Sequence, residues 1–244
     1  MVAGTLAKAG YFMGDNLYPP RDSNPKGFFE DPFINGVNEK ILAKVHIGIF
    51  EKIRRLSKGT RLGKCQRWLE VLPVEAHIPS SKDIEKKIIT AVTHEPFCFK
   101  DPRFSYTLPV WRPFLQDTVF ICIFREPGIT ALSIVKECTQ TKYLQSVNMT
   151  FELGLDVWFH MYNHILQRHM HQGEWLFLHY DQVTSCEGIS RIEALTKAVA
   201  DRSFPDNKLQ RTTSNISIEN KFTETYLKLC KLSGYVPSDT TTRI

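Results

Sequence analysis

Arg125 ends the run DTVFICIFR at residues 117–125, Pro127 follows two residues later, and Ser133 stands eight positions after the arginine. One strand–turn–helix unit would thus carry a guanidinium fork and a hydroxyl. That pair suits a phosphate, because the planar fork donates two parallel hydrogen bonds to an oxyanion. A plainer reading stands beside it, in which Arg125 pairs with its neighbour Glu126 and Ser133 faces solvent. A second constellation is Lys100-Asp101-Pro102-Arg103. Two cations there flank a carboxylate and would hold it ionised or touch an anion, or else Asp101 simply forms the turn before Pro102. His160 and His164 lie one helical turn apart, with Arg168 and His171 continuing the face. Imidazoles at that spacing can bind zinc, but no HExxH pattern accompanies them, so the face reads as solvated helix. His94 and His179 stand beside strands and read as structural residues.

These groups need elements that bring them together. Residues 2–12 are rich in small residues and predict a short helix. Residues 13–30, with Gly14, Pro19, Pro20, Pro25 and Gly27, predict a loop. Asp31-Pro32 is a helix start, an N-cap followed by the residue that fits the first helical position. Ile41, Leu42, Val45, Ile49, Ile53 and Leu56 give that helix an apolar stripe. Residues 52–67 are basic and read either as a solvated helix end and loop or as a surface for an acidic acceptor. A helix is expected at 81–93 and a short strand at 96–100. Residues 117–125 form the clearest strand, continuously apolar as a parallel strand covered on both faces should be. Helices follow at 128–138 and 151–171, the latter with Phe151, Leu155, Trp158, Tyr162 and Ile165 on one face. A strand at 174–179 and helices near 187–199 and 217–232 complete the chain. Strands alternating with helices predict an α/β fold with a parallel sheet. Ligands of such folds bind at the carboxyl edge of the strands, where Arg125 would stand.

The bulk properties bound the function. A chain of 244 residues, 42% hydrophobic and 23% charged, favours one α/β domain with a sizeable core. Its net charge of +5 is not gathered into a tail, which suits an anionic small ligand better than nucleic acid. Six cysteines (Cys65, Cys98, Cys122, Cys138, Cys186 and Cys230) include no CxxC pair, so neither a zinc ribbon nor a redox motif is indicated. They point to a reducing compartment. With no long apolar run and no signal-peptide pattern at the start, the expectation is a cytoplasmic protein without a membrane span.

The segment 117–138 resembles the 3′-phosphate-binding element of sulfotransferases that use 3′-phosphoadenosine 5′-phosphosulfate (PAPS). That element is a buried strand, an Arg, a Pro two residues on and a Ser eight residues after the Arg. Arg125, Pro127 and Ser133 match it. KDPRF at 100–104 with LPVW at 108–111 is similar to the family's preceding active-site strand and loop. The Trp158-x-x-x-Tyr162 helix, WLFLHYDQV at 175–183 and the loop GDNLYPPRDSNPKGFFED at 14–31 stand in family order, so the likeness covers nearly the whole chain.

The resemblance implies a single domain over 1–244, a P-loop NTPase-like three-layer α/β/α sandwich around a central parallel sheet. It also implies a strand and a Gly-Ser/Thr phosphate loop ahead of the first helix. VAGTLAKAGYFMGD instead looks like the helix after that loop. The first strand and P-loop are therefore expected to be missing, and a chain lacking them is expected to fold poorly alone, its strand edges and apolar helix faces exposed. Arg125 and Ser133 would bind the 3′-phosphate. Lys208 and Arg211 would close over it and the adenine as a late basic loop, unless 206–215 is a plain surface loop. Glu30 is the first candidate for the base that takes the acceptor's proton and Asp101 the second, with Lys100 and Arg103 placed to bind sulfate or acceptor. The co-substrate is PAPS, no metal is required, and the acceptor is a small molecule or glycan. A sugar or glycolipid leads, with a phenol, a peptide tyrosine or a polyketide hydroxyl open. The alternatives are a P-loop-type small-molecule kinase and a non-catalytic nucleotide-binding remnant.

Overall fold

The computed structural model describes residues 1–21, 24–46, 62–205 and 218–237, and within them the N-terminal helix is shorter than the sequence predicts. Helix α1 spans Val2–Ala7, with Ala3, Gly4, Thr5 and Leu6 buried. Beyond it the chain turns extended, since Phe12 donates its amide to the Pro96 carbonyl at 2.7 Å and accepts from Cys98 at 2.8 Å. This parallel bridge between Phe12 and Phe97 is all that forms of the strand predicted at 96–100.

Helix α2 (Pro32–Ala43) starts where the sequence places it. Asp31 Oδ1 accepts from the amides of Phe33 at 2.6 Å and Ile34 at 3.4 Å, and Pro32 occupies the first turn. The other oxygen of Asp31 accepts from the Asn16 amide at 2.8 Å, which pins the preceding loop to the helix. Gly14 makes that contact possible. Its φ is +123°, and a Cβ there would sit 2.2 Å from the Asp31 Cβ. Gly14→Ala is therefore expected to cost about 2 kcal/mol or more, through backbone strain and the displaced cap together. A urea melt would show it, and a variant within about 0.5 kcal/mol of the parent would refute it. Of the predicted α2 stripe, Ile41 and Leu42 are buried, while Ile49, Ile53 and Leu56 lie outside the described residues.

Helix α3 (Lys82–Ala91) buries Ile84, Ile88 and Ala91. KDPRF at 100–104 and LPVW at 108–111, which resemble an active-site strand and loop, instead lead into and lie in helix α4 (Phe104–Trp111), with Pro109 inside it. Helices α2, α3 and α4 share one core, in which Trp111 and Ile88 are fully buried.

Strand β1 (Val119–Phe124) then pairs in parallel with β2 (Glu174–His179), in a register that sets Phe124 against His179. Between them run helices α5 (Pro127–Gln140) and α6 (Phe151–His164). These two pack closely because Gly154 lies against Ala131, where a Cβ would come within 3.0 Å of the Ala131 backbone. The helix predicted to run to residue 171 instead leaves α-geometry after His164 for a π-helical turn at Ile165–His169. After β2 come a short helix α7 (Tyr180–Val183), helix α8 (Cys186–Thr196) and helix α9 (Asn220–Ser233).

Side chains alternate across the paired strands, as the two-residue period requires. Cys122, Phe124 and Phe177 join Trp158 of α6 and Tyr226, Leu229 and Cys230 of α9. Ile121, Ile123, Leu176 and Leu178 join Ala3 and Leu6 of α1, Met13, Cys98, and Val183 and Ile192 that follow β2. Both faces are covered, which explains why β1 reads as an unbroken apolar run. The chain is thus mixed α/β, and among the described residues its sheet is a two-stranded parallel one. No helix among them is long and apolar enough to cross a membrane.

Candidate functional site

The parallel register brings the residues that follow β1 and β2 to one edge. Arg125 leaves β1 half-buried, its guanidinium carbon 5.0 Å from the ring centre of Tyr180, the first residue after β2. Burial weakens the guanidinium's hold on its proton, and Tyr180, Asp181 and Glu126 oppose that effect. The side chain stays charged, as arginines do in proteins. Glu126 is turned to another task. Its two carboxylate oxygens accept from the amides of Gly128 at 2.9 Å and Ile129 at 2.6 Å, capping α5. Ser133 lies in the second turn of α5 and is exposed.

The strand end is held from one side by α6. The Trp158 indole donates to the Arg125 carbonyl at 3.1 Å, and the Tyr162 hydroxyl donates to the Ile123 carbonyl at 2.8 Å. Residues four apart on a helix thus meet carbonyls two apart on a strand, which both point the same way. From the other side, His179 stacks on Tyr235 at 3.8 Å and its Nδ1 accepts from the Asp181 amide at 3.2 Å. The Tyr235 hydroxyl donates to Asp181 at 2.9 Å. Burial, with Arg125 adding its repulsion against the pull of Asp181, pushes the His179 imidazole down to about 4.

Glu30 ends the loop before α2. It pairs with Lys100 and accepts from the Asn35 amide group at 2.8 Å. Its side chain is largely covered, whereas that of Lys100 keeps 43% of its surface. Lys100 and Lys26 also come close enough to the start of α1 to repel the Met1 amino group, which burial in the first place lowers to about 6.

Asp101 and Arg103 are placed differently. The Asp101 side chain has no exposed surface. It accepts from Asn38 at 2.9 Å, from the Arg103 amide at 2.9 Å and from the Arg103 guanidinium at 3.0 Å. Arg103 continues to Glu39 at 3.0 Å, and Glu39 to Arg67 at 2.9 Å. Asn38 in turn accepts from Thr107 at 2.8 Å and from the Trp111 indole at 2.7 Å. Burial raises the Asp101 carboxyl against the pull of Arg103. A carboxylate enclosed in this way ties α2 to α4 and does not face an acceptor hydroxyl. Of the two candidate bases, Glu30 is the one whose side chain keeps some solvent contact, though most of it is covered. Of the two candidate substrate cations, Lys100 is the accessible one, because Arg103 is almost wholly buried between Asp101 and Glu39.

The histidine face of α6 is solvated only in part, at Arg168 and His171, which are exposed, whereas the sequence reads all of it as solvated. His164 is fully buried and its Nε2 donates to the carbonyls of Leu72 at 3.2 Å and Pro73 at 3.0 Å. His160 meets the same Leu72 carbonyl at 2.8 Å, and Arg168 donates to Val74 and Ala76 at 3.0 Å each. His169 reaches the Ser105 carbonyl at 2.9 Å. His160, His164 and Arg168 thus supply hydrogen bonds to residues 72–76, a segment with no strand of its own. Burial, aided by repulsion from Arg168 and the neighbouring imidazoles, pushes both His164 and His169 down to about 4 from 6.5.

The unfolded chain would therefore take up protons below pH 6.5 that the folded one refuses. Stability is complete above that pH and falls as pH drops toward 4, by up to about 3 kcal/mol for each histidine. Urea midpoints should decline steeply from pH 7 to 4.5, and His164→Gln with His169→Gln should flatten the slope. A slope unchanged by both substitutions would exclude these imidazoles as its cause.

Lys208 and Arg211 lie outside the described residues. The sequence reading missed Tyr180, which meets Arg125, and the His179–Asp181–Tyr235 group beside it. The signal was present, since parallel neighbouring strands must end at one edge and bring HYD at 179–181 beside Arg125. Comparison with family models, curated proteins and solved structures gives no significant match.

Proposed function

We propose that the chain is a PAPS-dependent sulfotransferase, and that Arg125 reads the 3′-phosphate of its nucleotide. The observation that carries this reading is the setting of Arg125. A guanidinium half-buried at the carboxyl edge of a parallel strand pair is placed to receive an oxyanion. Both faces of the strand pair are covered, and Met13 and Cys98 flank the extended Phe12–Phe97 contact within one of the two clusters. This supports a three-layer α/β/α sandwich of the P-loop kind.

The reaction is an in-line displacement at sulfur. The acceptor oxygen attacks as its proton passes to Glu30, the new S–O bond forms, and the S–O bond to the 5′-phosphate breaks. 3′-Phosphoadenosine 5′-phosphate (PAP) then leaves. Asn35 orients Glu30, and Lys26 and Lys100 add positive charge near the start of α1, where charge develops on the leaving phosphate. The scheme needs no metal.

Calorimetric titration tests this. PAP should bind at least about tenfold more tightly than ADP, which lacks the 3′-phosphate that Arg125 would hold. Failure of the folded protein to bind PAP, or equal affinity for ADP and PAP, would overturn the reading. Preferential binding of Mg-ATP would instead favour a kinase.

A further inference from the structure

We infer that the chain binds a small organic ammonium ion in the cleft at the amino end of its strand pair. The cleft has a volume of about 480 Å³, within the range of small-molecule sites. Its lining includes Leu115, Val119 and Phe120 as apolar groups and Arg112, Asp117 and Glu174 as charged ones. Arg125 stands beyond the opposite end of β1, about 20 Å away at the rise of an extended strand. The cleft is therefore separate from the proposed nucleotide edge and independent of the sulfuryl-transfer reading.

The contacts within the chain decide the charge of the occupant. Arg112 is already engaged. Its guanidinium donates to the Gln172 carbonyl at 2.8 Å and to the His169 carbonyl at 3.3 Å, and its central carbon lies 5.0 Å from the centre of the Phe120 ring. Asp117 and Glu174 are exposed, and among the described residues neither carboxylate has an ion pair or a hydrogen-bond partner. The ladder sets Glu174 opposite Val119, two residues after Asp117, so both carboxylates open onto one cleft. Two free negative charges outweigh one committed positive charge. The apolar wall beside them lowers the local dielectric and strengthens their pull on a cation.

The wall sets the rest of the occupant. Phe120 carries Arg112 and stacks on Trp175 at 4.9 Å, so its ring is not offered as a platform. Leu115 and Val119 remain, half-buried and aliphatic, and they suit a compact saturated body. Gly173 has a φ of +82°, and a Cβ there would lie 2.8 Å from Phe120 Cε2, so bare backbone completes this part of the lining. A free amine fills such a volume better than the lysine side chain of a partner protein, whose single narrow stem would leave much of the wall without contacts.

Trp175 reports on the site, since Glu174 beside it lines the cleft and its own ring stacks on Phe120. Its indole N–H signal in NMR spectra, assigned with Trp175→Phe, should shift and saturate on titration with cyclohexylmethylammonium. Cyclohexylmethanol, which lacks the charge, should bind about tenfold more weakly, and cyclohexanecarboxylate should not bind. Asp117→Asn combined with Glu174→Gln should weaken the ammonium ion about tenfold. Both substitutions are mild, because both residues are exposed and Asn tolerates the +43° φ of Asp117 as Asp does. A parental melting temperature checks that the double variant is folded. No shift with the ammonium ion up to about 10 mM would overturn the inference. So would equal affinity for the alcohol, or undiminished binding by the folded double variant. Tighter binding of the carboxylate would make Arg112 the receptor, and tighter binding of Nα-acetyl-lysinamide would give the cleft to a lysine of a partner protein; either result overturns it. PAP affinity bears on none of these outcomes.

Discussion

Arg125→Ala is expected to weaken PAP binding by about a hundredfold, because on the proposed reading it would remove a charge-assisted, two-pronged contact from a partly desolvated site. The substitution should lower thermal stability only by what the contact with the Tyr180 ring and the side chain's other interactions contribute. The Arg125 backbone, rather than its side chain, accepts the Trp158 hydrogen bond, and Glu126 keeps its cap on α5. Arg125→Lys separates charge from shape. A lysine at this position restores the positive charge but not the fork, so it should recover only part of the loss. Calorimetry on the three proteins reads all of this directly. If Arg125→Ala binds PAP as the parent does, the 3′-phosphate is held elsewhere and the central assignment fails. A comparable loss of affinity for ADP would show that Arg125 reads the diphosphate end instead.

The second large effect concerns Arg103. Arg103→Met should destabilise the fold by about 3–5 kcal/mol, because it strips the counter-charge from a carboxylate with no exposed surface. Glu39 is less exposed to this loss, since Arg67 remains beside it. Asp101 retains Asn38 and one backbone amide and no cation in direct contact, so its carboxyl should take up a proton more readily in the variant. Adding Asp101→Asn should then recover part of the stability, since an amide in the same place carries no charge to leave unpaired. Urea denaturation of the two variants measures both steps. A single variant within about 1 kcal/mol of the parent would show that the network holds little of the fold together.

The sequence made some parts of this molecule legible and hid others for physical reasons. The β1–α5 unit could be read because every local signal agreed, namely an apolar run, an arginine at its end and a proline at the helix start. The start of α2 was equally plain, because Asp31 and Pro32 act within one turn of each other. The partial pairing at 96–100 was not legible, because a strand needs a neighbour that local pattern cannot supply. The histidine face of α6 misled for a related reason. His160, His164 and Arg168 serve carbonyls of a segment some ninety residues earlier in the chain, and polar side chains on a helix give no sign of buried backbone partners. The KDPR motif was half legible. Its charges were evident, but only the contacts to Asn38 and Glu39 show that Asp101 and Arg103 face inward while Lys100 faces out.

The parallel pairing of β1 with β2 has a consequence for how the molecule assembles. Val119 lies opposite Glu174, so no rung of the ladder can form until the whole crossover through α5 and α6 has folded back on itself. The entropy of closing that loop must be met before the strand pair returns any stability. The close contact of Gly154 with Ala131 shortens the effective loop, since α5 and α6 can join as neighbours first. The edge that carries Arg125 then appears late, because Arg125 and Tyr180 meet only when the strands do. A nascent chain would hold a helical hairpin long before it held the proposed nucleotide site, and any binding competence of that edge would mark the end of folding rather than an early stage of it.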